Sequence, residues 1–465
     1  MRSALRRLRA PLLAAAALLA ACSDPAAPVA GAVVSISIDS ANGPLSRAVT
    51  VTLDQPAPAE VTYGAPGTPV LTLTADSLSA EHRFVLPRLR AEKAYTLKAA
   101  VPRGTTPAVT GTFGSGALPP EVAEIELQET GDPSLPVALV EVVGGTRFTG
   151  LLMVEDAQIV GYVSMAGSLF GATRRANGDI VLLDGALGLV SRRLDGTIAH
   201  RLPQPESAPG AQYGRIHHDA IATPQNTVLL IANETRVVDG TTVVGEALWE
   251  WSPEAATVTK RWSAFDHLDW RTERGLRTVP GNWLHGNGLA YGPRGNVLVS
   301  LRNVDQVISI APDFSRVEWK LGGVNGTLAV ADADRFFGQH YVSEPSRDRL
   351  LVFDNGFERP GGAYSRAIEY AIDAGRGTAT RVWQHRHQPE IYAALVGSAR
   401  RLPNGNTTIL FGMRAGESGS TGPVTAVEVT PAGVVRWRLS VGPQLTRLYR
   451  VTPVESLMGE RAGTP

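Results

Sequence analysis

Nine histidines are spread through the 465-residue chain, and four of them stand where a repeated phrase begins. They are His217 and His218 in "HHDAI", His285 in "WLHGNGLAYGPRGN" and His340 in "FFGQHYVSEPSRD". An imidazole near neutrality can carry a proton, attack an electrophile or ligate a metal. Asn287 lies two residues after His285, and Asp219 directly follows His218. One such histidine alone reads as a packing or loop residue. Several at equivalent repeat positions read as a site.

The repeats must position these side chains. The phrases begin near Ala172 ("ATRRANGDIVLLD"), at His217, at His285, at Gln339 and at Gly397 ("GSARRLPNGNTTILFG"), roughly 45 to 70 residues apart. Each holds a polar turn followed by an apolar strand, and several end in a tryptophan phrase such as "VEWKLGG" or "VVRWRLS". That spacing fits four-stranded propeller blades. Five repeats are visible, and a sixth is completed by joining residues 151–165 with the C-terminal "RLYRVTPV". Equivalent positions of successive blades face the central channel at one end. His218, His285 and His340 are therefore expected to converge.

Upstream, residues 33–128 alternate in short stretches (VVSISI, AVTVTL, EVTYG, HRFVL, AYTLKAAV, AVTGTF) bounded by Gly, Pro, Asp and Asn. They predict a small immunoglobulin- or fibronectin-like β-sandwich of six or seven strands, with Tyr95 as its corner tyrosine. A linker at 129–136 (ETGDPSLP) leads into the propeller, 137–455. The expected fold is thus all-β, a six-bladed β-propeller preceded by that sandwich.

The first 21 residues read as an export signal: Arg2, Arg6, Arg7 and Arg9 precede a short apolar run ending in Leu-Ala-Ala-Cys. That phrase resembles the bacterial lipobox, in which Cys22 is diacylated and anchors the protein. Cys22 is the only cysteine, so no internal disulfide can form. Residues 22–32 form the tether, and Ser23 after the cysteine favours the periplasmic face of an outer membrane. Hydrophobic residues make up 43% and charged residues 19%, as in a globular protein. The 44 basic residues balance 44 acidic ones, so nothing points to nucleic acid as a partner.

Across residues 137–455 the chain resembles the bacterial arylsulfotransferase family. The resemblance rests on "HHDAI", "WLHGNGLAYGPRGNVLVSLRN", "WKLGG", "FFGQHYVSEPSRDRLLVFDNG" and "GSARRLPNGNTTILFG". It implies a sandwich-plus-propeller fold, and transfer of a sulfuryl group from an aryl sulfate to a phenol through a sulfated histidine. No nucleotide sulfate donor is involved, and the chain holds no Gly-Lys-Ser/Thr phosphate loop. Carried over by motif, His340 is the nucleophile, His285 and Asn287 come from "HGN", and Arg302 from "SLRN". The "HHD" histidine is His217 or His218, with His218 favoured and His217 left to substrate binding. Arg302 would grip two sulfate oxygens, Asn287 would donate an amide N–H, and His218 or His285 would donate to the same oxygens or exchange the phenolic proton. The resemblance implies neither cofactor nor metal.

The chain departs from the family's enterobacterial members in its lipid anchor and in lacking a cysteine pair. No aromatic clamp for the phenol ring stands out. Two other readings compete: a non-catalytic propeller binding a glycan, peptide or protein, and a metal-dependent propeller hydrolase. The latter is weakened because Asp219 is the only carboxylate close to the motifs. His385 and His387 are expected in an inter-strand loop, His82 and His267 in structural roles, and "FDNG" at 353–356 as a hairpin turn. Whether the sandwich makes a homodimer contact or only spaces the propeller from the membrane is open.

Overall fold

The computed structural model describes residues 29–41, 43–193 and 196–462. The expected export signal and Cys22 lie outside them. The regular elements of the described chain are almost all antiparallel strands, with two four-residue helices and a few short 3-10 turns.

The N-terminal strands Val33–Ser40, Arg47–Gly64, Leu71–Leu86, Ala94–Ala100 and Val109–Gly114 form one hydrogen-bonded sheet. "AVTVTL" and "EVTYG", read above as two strands, belong to the single strand Arg47–Gly64. The Pro56 and Pro58 between them cannot donate to a ladder, and the register slips between Thr52 and Ala59 without a turn forming. The first strand pairs with one half of this long strand and Ala94–Ala100 with the other. The sheet then folds so that its extreme strands touch. Gly111 lies at that contact, facing the tip of Ile36. Alternate residues Val49, Val51, Val61 and Tyr63 are thereby enclosed. The Tyr95 hydroxyl accepts from the Arg90 N–H at 2.7 Å, five residues upstream.

Six sheets follow, each built on four antiparallel strands; in the first five these are consecutive in the chain. Five begin on Leu169–Arg174, Ile216–Ala222, Gly286–Tyr291, His340–Ser346 and Ser398–Arg401. In the sixth, Leu445–Val454 pairs with Val137–Gly145, which leads into Gly150–Glu155 and Gln158–Ser164. Each opening strand touches the next, and Leu445–Val454 touches both Ser398–Arg401 and Leu169–Arg174, which closes the succession into a ring. The second and third strands are apolar on both faces because sheets cover both: Val297–Leu301 and Thr425–Val429 are buried at every position.

Two segments tie the N-terminal sheet to the ring. Leu127–Gly131, at the end of the expected sandwich, adds a fifth strand beside Val435–Val441. Arg461–Ala462 returns to pair with Leu71–Thr72. Between them, buried Arg88 bonds both Glu155 and Glu460.

Candidate active site

The opening strands share a local irregularity. Register shifts fall between Ile216 and Ala220, between Gly286 and Gly288, and between His340 and Val342. At or beside each, a non-glycine residue takes left-handed backbone: His218 (φ 60°), His285 (φ 56°) and Tyr341 (φ 55°). Bulges re-aim side chains, and left-handed backbone in a residue with a Cβ costs about 1–3 kcal/mol, which surrounding structure must hold. Here the result is a histidine cluster at the top of the second, third and fourth sheets. The His218 and His285 rings stand 4.5 Å apart, and those of His217 and His218 5.0 Å apart.

His340 is buried, 4% exposed. Its Nδ1 lies 2.8 Å from Asn355 Oδ1. The amide orientation of Asn355 is fixed, since Nδ2 donates to the carbonyls of Ala393 and Val396, both at 2.8 Å. Oδ1 can only accept, so Nδ1 of His340 carries the proton. In the neutral ring the lone pair then sits on Nε2.

A second chain of contacts runs from Glu246, a buried carboxylate. Its Oε2 lies 3.1 Å from His217 Nε2, and His217 Nδ1 lies 2.9 Å from His218 Nδ1. Oε1 accepts the Gly286 N–H at 2.9 Å, which ties the second sheet to the third. Nδ1 of His285 meets the Asn282 side chain at 3.0 Å.

Arg302 lies beside this cluster, its backbone N–H donating to the His285 carbonyl at 3.1 Å. Its guanidinium sits over the Phe357 ring, 5.2 Å from the centroid, and its Nε is buried without a partner. Among the described residues no carboxylate comes within ion-pair distance of it. The neighbouring Arg277 has both local carboxylates, Asp305 and Glu358, and donates to the Arg302 carbonyl at 3.0 Å. Arg302 is therefore a largely buried cation with spare donors, a setting suited to an anion.

Burial and this cation set the protonation states. Desolvation pushes His340 down to about 3, with Arg302 adding to the effect and the Asn355 bond opposing it. His285 is pushed down to about 4 by burial and Arg302. His218 falls well below its ordinary value through burial and its histidine neighbours. Arg302 is lowered to about 10 by burial and Arg277, and stays charged at neutral pH. Burial alone would raise Glu246, but His217 and the Gly286 N–H hold it below the usual carboxylate range. At pH 7 the site is three neutral imidazoles beside a fixed positive charge.

The structure thus gathers His217, His218, His285, His340 and Arg302. Asn287 is placed differently from the expected oxyanion donor. It is fully buried, and its Nδ2 donates to the Gln339 carbonyl at 2.8 Å, bracing the backbone before His340. Asp219 turns away from the histidines and holds Arg450 through two bonds of 2.7 and 2.6 Å, while also accepting the Leu289 N–H at 2.7 Å. His385 and His387 form a separate pair, His387 Nε2 accepting from Arg438 at 2.8 Å. His82 packs through Nε2 on the Ala57 carbonyl at 2.7 Å, and His267 stacks on Trp262.

Three contributors were missed. "FDNG" is not a hairpin turn: the next strand starts only at Arg366, and Asn355 points inward to His340. Glu246 gave no signal in "VVGEALWEW", where it reads as an ordinary strand polar residue. Phe170 stands 5.6 Å from His218. It precedes left-handed Gly171 just as His217 precedes His218, so aligning the first repeat with the second offers it.

Residues 206–434 match the sequence model of the arylsulfotransferase (ASST) family. Arylsulfate sulfotransferase AssT of Escherichia coli O6:H1 is 26% identical over 173 residues, 30% of this chain and 29% of that protein. Arylsulfate sulfotransferase AssT of Lelliottia amnigena is 26% identical over 137 residues, 22% of this chain and 23% of that protein. The alignments thus span less than a third of these relatives' length. A crystal structure of a protein of unknown function from Bacteroides caccae is 13% identical and covers 69% of this chain and 100% of its own, with a TM-score of 0.46. A likeness that loose carries no argument here.

Proposed function

The chain belongs to the arylsulfotransferase family, and we propose that it transfers a sulfuryl group from an aryl sulfate to a phenol through His340. One observation carries the assignment. The Nδ1 proton of His340 is committed to Asn355, and the ring is held neutral beside an unpaired guanidinium. Nε2 is then a nucleophile with its lone pair free.

In the first half-reaction Nε2 attacks sulfur, and the S–O bond to the aryl group breaks with its electron pair on the phenolic oxygen. The imidazolium so formed keeps its Nδ1–H on Asn355. Arg302 and the neighbouring imidazoles meet the charge on the three sulfuryl oxygens. In the second half-reaction a phenol oxygen attacks the same sulfur, and His340 leaves neutral. Donor and acceptor occupy the same space in turn, which makes the kinetics ping-pong. Phe170, beside His218, and Phe357, under the Arg302 guanidinium, offer aromatic faces to a phenol.

The six sheets read as the blades of a propeller whose channel end holds the histidines, and the folded N-terminal sheet as the small sandwich. On this reading the domains span about 33–128 and 137–455, with the strand Leu127–Gly131 crossing the first limit and strapping one to the other. The "LAAC" phrase supports cleavage before Cys22 and lipid anchoring in the envelope. Metabolic labelling with a fatty acid, lost in Cys22→Ala, tests that part.

The transfer is tested with residues 23–465 and a chromogenic aryl sulfate, with and without an added phenol. Acceptor-dependent phenolate release, lost in His340→Ala, and a sulfuryl adduct mapped to His340 are expected. Release without an acceptor would mean a hydrolase. The absence of both adduct and turnover across several aryl sulfates would reject the assignment.

A further inference from the structure

A transfer between phenols needs a proton delivered to one oxygen and recovered from the next. His340 supplies none, because its Nδ1–H stays on Asn355. Among the described residues the His285 ring bonds only the Asn282 amide, and Glu246 acts on it through space without a hydrogen bond. His218 differs: its Nδ1 lies 2.9 Å from His217 Nδ1, and His217 Nε2 lies 3.1 Å from the buried Glu246 carboxylate. Asn233 Nδ2 also lies 3.0 Å from that nitrogen; once Nε2 is protonated towards Glu246 it has no lone pair for this amide, which is then a neighbour and not a bonded donor. Nε2 of His218 has no hydrogen-bond partner among the described residues.

Two Nδ1 atoms facing each other at 2.9 Å can share one hydrogen in two ways. In one, His217 is an imidazolium that donates Nδ1–H to His218 and Nε2–H to Glu246. His218 is then neutral with its proton on Nε2. In the other, His217 is neutral with its proton on Nε2 towards Glu246, and His218 carries Nδ1–H and a lone pair on Nε2. The first form can donate at His218 Nε2 and the second can accept there. They differ by one proton.

We propose that Glu246, His217 and His218 form a proton relay that protonates the leaving phenolate and deprotonates the incoming phenol. The proposal rests on the His340 reading. As the S–O bond breaks, the phenolic oxygen takes the proton from His218 Nε2, and the His217 Nδ1 proton passes to His218 Nδ1. His217 ends neutral on Glu246, whose charge is unchanged. The second half-reaction runs the same transfers backwards, so the relay is restored each cycle. His218 is the acid and base, and Glu246 is a positioning residue acting through His217. The other charged or titratable groups acting on His218 are His285, His340 and Arg302, none of which can replace the carboxylate.

A leaving-group series tests it, because good leaving groups need no acid. Initial adduct formation on His340 would be followed for wild type and Glu246→Gln with aryl sulfates running from nitrophenyl to unsubstituted phenyl. The expected loss grows along the series, from a few-fold to about 10²–10⁴-fold, the usual worth of general-acid help. His217→Asn should reproduce that slope, and serves alone if the Glu246 variant fails to fold. An equal loss at every leaving group, or none, would overturn the relay. A wild-type chain that forms no adduct with any of them would sink the His340 reading, and the relay with it.

Discussion

Asn355 accepts the Nδ1 proton of His340 at 2.8 Å while its own amide hydrogens are taken by Ala393 and Val396. Three bonds from three directions leave the ring one neutral tautomer. Asn355→Leu removes the acceptor and frees the other tautomer. Adduct formation should fall by roughly 10²–10⁴-fold, the range seen when a catalytic imidazole loses its tautomer-setting partner. Single-turnover kinetics checks this, and ¹⁵N spectra of His340 should show mixed tautomers.

The acid side of the pH profile should sit unusually low. With His340 at about 3 and His285 at about 4, both stay neutral far below an ordinary imidazole's titration. Activity limited by His340 should persist to near pH 4, and an acid limb at about 6.5 would contradict the assigned environment. Stability follows the same sign. These pKa values are depressed in the folded state, so their contribution is whole above the unfolded value of about 6.5 and is lost as pH falls through the folded ones. The midpoint of thermal unfolding should drop between those limits, less steeply in His340→Gln.

Arg302 stands without a carboxylate, so its charge is free to meet an anion. Arg302→Met should lower adduct formation by about 10²–10³-fold, as loss of an oxyanion donor does. It should also let the His340 pKa rise, since the guanidinium helps hold it down. Arg302→Lys keeps the charge but not the fork, and should recover only part of the rate. Proton NMR titration of His340 in each variant separates the two effects.

The pair Asp219–Arg450 is a stability element. Both residues are buried, and Asp219→Asn strands a guanidinium in the interior. Breaking a buried pair from one side costs about 3–5 kcal/mol. Chemical denaturation should show that loss, whereas removal of an exposed pair such as Arg215–Glu206 should change little.

What the sequence disclosed and what it withheld follow from the range of the forces involved. Polar turns and apolar runs mark strands locally, so "HHDAI", "HGNG", "QHYV" and "SARR" each open a sheet where the repeats begin. Equivalence of repeats also told which histidines meet. Long-range hydrogen bonds leave no such trace. Asn355 looks like a turn residue until Ala393 and Val396 are brought against it, and Glu246 is one polar residue in an apolar strand until the third sheet delivers Gly286. The motif offers Asn287 as an oxyanion donor, whereas its buried amide donates to the backbone of Gln339. In the N-terminal region, prolines that signal turns in isolation became a bend within one strand.

Leu445–Val454 is both the opening strand of the sixth sheet and the source of Arg450, which reaches Asp219, and of Tyr449, whose hydroxyl bonds the Asn287 carbonyl at 3.1 Å. The ribosome therefore releases every histidine of the cluster long before the segment that encloses them. A nascent or prematurely terminated chain carries all the reactive side chains and no compartment to hold them neutral and dry. The ring around His340 is closed only when Leu445–Val454 has joined Val137–Gly145, so the burial that holds its imidazole neutral depends on a segment more than a hundred residues away.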